Sequence, residues 1–232
     1  MKLAIMQPYI LPYIGYFQLI RSVDTFVVYD NIKYTKKGWI NRNRFLRDGQ
    51  DILFSLPLTK ASDFLDIRER EISEAFDRKQ LLDQIANAYR KAPYGKSALG
   101  LLETILACED RNLFRFLLHS LQKTCDHLGI TTKFVISSTL EIDHELKSEQ
   151  KVLAICKALR ASHYINAIGG QELYAKEQFT AEGLTLSFIK SRPIEYAQLG
   201  QPFVPWLSIL DVIAFNAPDA ITGFLTEQYD LI

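Results

Sequence analysis

Short runs of apolar residues recur along the chain, separated by stretches in which apolar residues return every three or four positions. The short runs have the length of buried β-strands, and the periodic stretches have the spacing of amphipathic helices. Strand-length runs occur at 3–6, 25–29, 52–56, 133–137, 164–167 and 184–189. Helical spacing occurs at 16–23, 81–89, 101–106, 113–128, 147–159 and 206–213. Because strands and helices alternate, the pattern predicts an α/β fold with a mainly parallel, Rossmann-like sheet.

One long interval departs from this alternation. From about 68 to 128 the pattern is nearly all helical, with a single break at 92–95, where the sequence reads Ala-Pro-Tyr-Gly. We therefore predict one α/β domain over 1–232 that carries a helical insert or cap at about 68–128. Later in the chain, Asn216, Ala217 and Pro218 are predicted to stop the last helix.

Composition excludes few classes of partner. The 232 residues carry 27 basic and 27 acidic side chains, so the net charge of zero favours neither nucleic acid nor a membrane surface. No segment approaches the roughly 18 apolar residues of a transmembrane helix, and no export signal begins the chain. The cysteines are odd in number and lie in apolar helical patterns, at Cys108, Cys125 and Cys156. These features predict a globular cytoplasmic protein with reduced core thiols.

The turn after the first predicted strand is the most informative segment. Two prolines and a glycine interrupt the apolar pattern between 7 and 17 before a helix begins. A strand, a rigid turn and a helix start form a common platform for a ligand at the carboxyl end of a strand. The residues predicted to bind substrate here are Gln7, Pro8, Tyr9, Tyr13, Gly15 and Tyr16.

A basic stretch follows at 31–47, with six lysines and arginines and one interleaved tryptophan. If 41–44 is extended, its two amides share one face and its two guanidinium groups share the other. Guanidinium groups form paired hydrogen bonds with phosphate or carboxylate, although a solvated basic edge strand gives the same pattern. The residues predicted to bind substrate here are Trp39, Asn41, Arg42 and Asn43.

Three further positions carry polar groups at the ends of predicted elements. Asp30 follows a strand, where a carboxylate can bind a ribose hydroxyl, a metal or an amine. Gly169 and Gly170 open a predicted helix, where backbone amides can approach an anion or simply form a tight turn. Ser208 and Asp211 lie three residues apart on the last predicted helix, which allows them to line a site or to cap the helix.

No histidine or cysteine spacing typical of a metal site is present, so no metal ligand is predicted. The four histidines are interpreted as core or surface residues. The sequence also contains no GxSxG elbow and no evident nucleophile paired with a base.

From Met6 to Asn43 the chain resembles the WbqC-like protein family, and looser matches extend the resemblance over almost the whole length. The residues that carry it in the first part are Gln7–Tyr9, Pro12–Gln18, Asp24, Tyr29, Asp30 and Gly38–Asn43. The looser matches are Ala92–Tyr94, Gly169, Gly170, Leu173, Tyr174, Phe203, Pro205, Leu207–Ile209 and Asp211.

The resemblance implies a role in the biosynthesis of O-antigen or related surface polysaccharides. Members of the family are described as glycine or acyl transferases that act on amino sugars. A second resemblance, to nucleotidyltransferase-like enzymes, places Tyr13 and Tyr16 where those enzymes have the histidines of an HxGH turn. In that comparison 189–192 takes the place of a lysine-containing phosphate loop. ATP with Mg²⁺ is then one candidate cofactor, and the cofactor is otherwise not identified.

Two functions follow as hypotheses. The first is an amide-forming transferase that uses a nucleotide-sugar and an acyl or aminoacyl donor. In it Asp30 orients the amine or acts as base, while Lys36 and Lys37 offset developing charge. The second is a nucleotide- or sugar-binding assembly protein of the same pathway without catalysis. In either case we expect one pocket to join the turn at 7–16, Asp30, the segment 39–43 and the glycine pair. The oligomeric state is not predicted.

Overall fold

A mostly parallel sheet forms the centre of the protein, whose computed structural model describes residues 1–200 and 202–232. The strands are β1 (Lys2–Met6), β2 (Thr25–Val28), β3 (Arg42–Arg47), β4 (Gln50–Ser55), β5 (Lys133–Ile136), β6 (His163–Ala167), β7 (Thr185–Ser191) and β8 (Tyr229–Leu231). Six of them pair in the order β5-β2-β1-β6-β7-β8, and only β8 runs antiparallel to its neighbour. Strands β3 and β4 form a separate antiparallel hairpin. The predicted α/β fold class is confirmed.

Helices cover both faces of the sheet. They are α1 (Ile14–Arg21), α2 (Arg78–Tyr89), α3 (Gly95–Leu106), α4 (Leu113–His127), α5 (Ser148–Ala158), α6 (Lys176–Ala181), α7 (Ile209–Phe215) and α8 (Pro218–Glu227). Among the described residues, none of these helices is both long enough and apolar enough to cross a lipid bilayer.

Alternation along the strands explains how the helices divide between the two faces. Leu3 and Val27 point to the face covered by α5 and α6, while Ala4 and Phe26 point to the opposite face with α1, α4 and α8. Successive side chains of a strand lie on opposite sides of the sheet, so strands buried on both faces appear as continuous apolar runs. These runs are the sequence pattern from which the strands were predicted.

The helices α2 to α4 occupy the predicted insert between β4 and β5. Ile85, Leu102 and Leu117, one from each of these helices, belong to the same buried cluster as Phe26 of the sheet. The helical segment therefore shares its core with one face of the sheet.

Several boundaries differ from the predictions. Pro218 begins α8 instead of ending helical structure, because proline fits the first turn of a helix, where its missing N–H is not needed. The glycine pair lies in a 3₁₀ helix, Ile168–Leu173, and the α-helix predicted there starts only at Lys176. Lys190 and Ser191 lie within β7 and pair with β8, so they do not form a second phosphate loop.

The strand order reverses at β1. Its neighbour β2 follows it in the chain, whereas its other neighbour β6 follows much later. In open α/β sheets, ligands bind in the crevice outside the carboxyl ends of the strands at such a reversal. The turn after β1 therefore begins at the position in the fold where a ligand site is expected.

Candidate functional site

A cavity of about 270 Å³ opens beside the turn that follows β1. The turn, the hairpin strand β3 with the residues before it, and the loop leading into α7 form its wall. Its lining residues are Tyr9, Pro12, Tyr13, Trp39, Asn43, Arg44 and Trp206. Aromatic rings with a few polar groups suit a ring-shaped ligand that also carries hydroxyl groups.

Asn43 holds the turn against the hairpin. Its side chain is 5% exposed, and its Nδ2 atom donates to the carbonyl oxygens of Ile10 at 3.0 Å and Leu11 at 2.7 Å. Leu11 has a φ of +44°, a left-handed conformation that is costly for a residue with a side chain. The Ile10 amide also donates to the carbonyl oxygen of Ile40 at 3.0 Å. Asn43 thus mainly stabilises the turn, because the N–H groups of its side chain are already used within the protein.

Replacing Asn43 with alanine is expected to lower the free energy of unfolding by about 1–3 kcal/mol, because two buried carbonyl groups lose their donor. The measurement is urea-induced unfolding followed by circular dichroism. Arg47→Ala, an exposed position of the same strand, is the control and is expected to change stability by less than about 0.5 kcal/mol. Equal effects of the two substitutions would contradict the assigned role.

Gly15 allows the ring of Tyr13 to pack at the start of α1. A Cβ atom at Gly15 would overlap the Tyr13 ring and would lie 2.5 Å from the Ser191 hydroxyl oxygen. Tyr16 faces inward from the same helix, and its hydroxyl donates to the carbonyl oxygen of Gln7 at 2.9 Å. The turn, the helix start and β7 therefore meet without space for a larger residue.

The tyrosines of this turn are neutral hydrogen-bonding groups. Burial raises the pKa of Tyr9, Tyr13 and Tyr16, so none ionises near neutral pH. The Gln7 Nε2 atom donates to the Tyr9 hydroxyl oxygen at 2.7 Å, which connects the carboxyl end of β1 with the wall of the cavity.

Trp206, which lies late in the sequence, forms one wall of the cavity. It is 61% exposed, and its φ of +60° again lies in the left-handed region. Its ring packs edge-on to Tyr13 with centroids 5.7 Å apart. Backbone bonds from Ser208 to Arg44 at 2.9 Å and from Ile209 to Pro12 at 3.0 Å hold this loop against the turn and the hairpin. A strained backbone that presents an exposed aromatic ring is typical of a ligand site.

Arg44, and not Arg42, supplies the charge in the cavity wall. The Arg44 guanidinium lies 5.1 Å from the centroid of Trp39 and pairs with Asp51 at 2.6 Å. The Arg42 guanidinium instead donates to the carbonyl oxygens of Lys37 and Gly38 and closes that turn. The predicted alternation is present from Arg42, where β3 begins, with Asn43 buried and the two arginines beside it half-buried.

The three residues predicted to be catalytic lie outside the cavity lining. Asp30 is buried and accepts hydrogen bonds from the Ser137 hydroxyl at 3.2 Å and from the amide and hydroxyl of Ser138 at 2.9 and 2.6 Å. Lys36 pairs with Asp63 at 2.6 Å on the surface, and Lys37 is exposed in a left-handed turn. The expectation of one pocket joining all of these segments is therefore wrong.

Several predicted binding residues have structural partners. Asn41 accepts from the Tyr34 hydroxyl at 2.7 Å and donates to the carbonyl oxygen of Leu56 at 2.8 Å. Ser208 caps α7 through its bond from the Leu210 amide at 3.3 Å, in agreement with the capping alternative. None of these residues lines the cavity.

The remaining predicted positions also lie outside the cavity lining. Asp211 is buried on α7 and accepts three hydrogen bonds from other side chains. Gly169 and Gly170 are in the segment after β6, where a Cβ atom on Gly170 would overlap the Asn166 amide. Pro8 is buried in the turn beside Tyr9 and does not reach the cavity.

Sequence reasoning missed Trp206 and Arg44 as cavity residues. Arg44 was recognised only as half of a guanidinium pair. Trp206 sits within a stretch that was predicted to be helical, and helix α7 begins only at Ile209. The signal that could have identified Trp206 as a loop residue is Pro205 directly before it, since proline often interrupts regular structure.

The fold and the cavity together define a Rossmann-like α/β protein with an aromatic cavity beside the turn that follows β1. More specifically, the chain belongs to the WbqC-like protein family, whose model matches residues 7–222. It is 29% identical over 228 residues to the uncharacterized protein Rv1507c of Mycobacterium tuberculosis, a match that covers 94% of this chain and 96% of that protein. No solved structure matches the chain significantly.

Proposed function

We propose that the protein is an amide-forming transferase that places an aminoacyl, such as glycyl, or acyl group on the amine of an amino sugar during surface polysaccharide biosynthesis. The observation that carries the proposal is the cavity between Trp39, Trp206 and Tyr13, with Arg44 in its wall. A pyranose ring stacks its C–H face on aromatic side chains, and its hydroxyl groups bond to phenol, amide and guanidinium groups. The family's association with O-antigen biosynthesis supports a sugar as the ligand.

In the reaction, the sugar nitrogen attacks the carbonyl carbon of the donor and forms a C–N bond. The bond from that carbon to its leaving group, a phosphate oxygen or a thioester sulfur, breaks. The leaving group keeps the electron pair of this bond. The nitrogen loses one proton to a base. The cavity positions the sugar, which lowers the entropic part of the barrier. Asp30, just after β2 and outside the cavity lining, remains the proposed base.

The chain offers a direct measurement of binding. Its two tryptophans, Trp39 and Trp206, both line the cavity, so intrinsic fluorescence reports on a ligand there. Titration with UDP- and dTDP-linked amino sugars is expected to change this fluorescence in a saturable way. The amino sugar that binds is then incubated with glycine and ATP–Mg²⁺, or with acyl-CoA, and the amide product is detected by mass spectrometry.

One observation favours a second function, that of a sugar-binding assembly protein without catalysis. None of the residues that line the cavity is a serine, cysteine, histidine or carboxylate. Saturable fluorescence change without an amide product from any donor would support this second function. No fluorescence response to any amino sugar would contradict both.

A further inference from the structure

Lys151, in the first turns of α5, is a buried cation that the cavity does not use. Its side chain is 4% exposed. Among the described residues its Nζ atom forms no ion pair and has one acceptor, the carbonyl oxygen of His144 at 3.0 Å. An ammonium group has three N–H donors, so two remain without an acceptor in a nearly dry environment. Burying a charge in this way is unfavourable unless another group accepts the remaining hydrogen bonds.

A fixed network holds this lysine in place. The His144 ring contacts the Asn31 amide through Nδ1 at 3.0 Å and the carbonyl oxygen of Leu140 through Nε2 at 3.1 Å. Asn31 in turn accepts from the Ser137 hydroxyl, which also bonds Asp30. The His144 carbonyl oxygen, which accepts the hydrogen bond from Lys151, is therefore anchored to the carboxyl ends of β2 and β5.

The lysine faces the crevice where the strand order reverses. Its Nζ atom lies 5.4 Å from the centroid of the Tyr29 ring, and the Tyr29 amide donates to the carbonyl oxygen of Met6, the last residue of β1. On the far side of the reversal, Tyr174 belongs to the same apolar cluster as Tyr29. The Glu149 carboxylate on α5 accepts from the Ala175 amide at 3.0 Å and ties the two sides together.

Asn166 adds a second donor on this face. It is 6% exposed, and its Oδ1 atom accepts from the Ala167 amide at 2.8 Å. Its Nδ2 atom has no acceptor within residues 1–200 and 202–232, and it packs so closely against Gly170 that a Cβ atom there would overlap it. Because it lies two residues after Tyr164, its side chain points to the face that carries Tyr29 and Lys151.

The charges around Lys151 are mixed. Burial lowers the pKa of Lys151, the carboxylates of Asp66, Glu145 and Asp30 oppose that shift, and Arg68 adds to it. Asp30 already accepts hydrogen bonds from Ser137 and Ser138, as described above. The free N–H groups of the lysine are thus the part of the cluster that still requires an acceptor.

We propose that the switch-point cleft, formed by Tyr29, Lys151, Asn166 and Tyr174, binds the phosphate group of the activated donor. Two unfilled ammonium donors and one amide donor match a ligand with several adjacent acceptor oxygens, and an ammonium group is a common phosphate ligand. The Tyr29 and Tyr174 rings provide an apolar surface for the rest of the donor. This proposal rests on the proposed function, for which the cleft is the donor site and the aromatic cavity the acceptor site.

Isothermal titration calorimetry tests the cleft with UDP, ADP, inorganic pyrophosphate and uridine as probes. Lys151→Met is expected to weaken binding of the phosphate compounds at least about tenfold, the effect of losing a charged hydrogen-bond donor. The melting temperature of the unliganded variant is expected to stay the same or rise, because an unpaired buried charge is removed. Asn166→Ala, on a different element, is expected to weaken the same compounds.

Lys157→Met is the matched control, since Lys157 lies on the same helix and pairs with Glu182 at the surface. It is expected to bind like the natural protein. Tight binding of pyrophosphate would indicate that phosphate alone suffices, and binding of ADP but not UDP would indicate an adenylate donor. Binding of UDP alone would assign the cleft to the nucleotide of the acceptor and overturn its role as the donor site. Binding of uridine alone, no binding of any phosphate compound, or equal affinity of Lys151→Met and Lys157→Met would overturn the proposal.

Failure here is distinguishable from failure of the proposed function. Tryptophan fluorescence reports on amino-sugar binding in the aromatic cavity, and Lys151→Met is expected to leave that response unchanged. Sugar binding without phosphate binding would reject the donor cleft alone. Phosphate binding without any sugar response would instead reject the acceptor cavity.

Discussion

Replacing Asp211 with alanine is expected to lower the free energy of unfolding by about 3–5 kcal/mol. The carboxylate is fully buried and accepts from the Tyr89 hydroxyl at 3.0 Å, the Tyr196 hydroxyl at 2.7 Å and the Gln198 Nε2 atom at 2.7 Å. The substitution leaves these three donors without their acceptor beside a position where the side chain is fully buried. Urea-induced unfolding measures the loss.

The pH dependence of the same group gives an independent check. Burial raises the pKa of Asp211, and its hydrogen bonds from Tyr196, Gln198 and Tyr89 only partly offset this. With the pKa higher in the folded than in the unfolded chain, the folded protein binds more protons between the two values. The stability from this group is therefore greatest below the unfolded value, about 3.9, and declines as the pH rises through the folded value.

The Asp211→Asn variant lacks that titration. The stability of the natural protein relative to Asp211→Asn is therefore expected to fall as the pH rises from about 4 towards neutral. Asp219→Ala, an exposed position at the start of α8, is the control and is expected to change stability by less than about 0.5 kcal/mol. A constant difference between the natural protein and Asp211→Asn across this range would contradict a raised pKa.

Replacing Trp206 with glycine is expected to weaken amino-sugar binding about 30- to 700-fold, or about 2–4 kcal/mol, the range typical of a tryptophan at the centre of a binding surface. Trp206 has more than half of its surface exposed and forms one wall of the cavity. Its removal costs little core packing. The affinity is measured by calorimetry, since this variant loses part of the fluorescence signal.

Two substitutions that remove the Trp206 ring differ in how well they fit the backbone, which separates the effect on binding from the effect on stability. Trp206 has a φ of +60°, a conformation that glycine adopts freely and alanine does not. Trp206→Gly is therefore expected to be about 1 kcal/mol more stable than Trp206→Ala, although both lose the ring. Trp206→Phe retains an aromatic wall and is expected to keep most of the affinity. Unchanged sugar affinity in both ring-less variants would remove the cavity as the acceptor site.

The fold was predictable because its strands are buried on both faces. The runs at 25–29 and 164–167 are apolar except for Thr25 and Asn166, and helical spacing between such runs identifies the crossovers of a parallel sheet. Strand β8 was not predicted, because Tyr229–Leu231 is three residues long and has no extended apolar pattern. Pro218 was misinterpreted because proline is compatible both with the end of one helix and with the start of the next.

The candidate site was predictable only in part. The turn at 7–16 and the segment 39–43 do meet, because the sequence marks both with rigid turns and aromatic residues. Asn41, Asn43 and Asp211 also looked like ligand-binding groups, yet each satisfies buried polar groups of the protein itself. A single sequence does not distinguish these two uses of a polar side chain, since the choice depends on contacts between distant segments.

The attachment of the α7 loop to the turn and the hairpin has a consequence for the order in which the protein matures. The bonds from Ser208 to Arg44 and from Ile209 to Pro12 join segments more than 160 residues apart. Contacts of such sequence separation form late in folding, and during synthesis the early segments wait for the late one to leave the ribosome. A nascent or truncated chain that lacks the loop before α7 therefore also lacks one wall of the aromatic cavity, so the cavity is complete only in the fully folded chain.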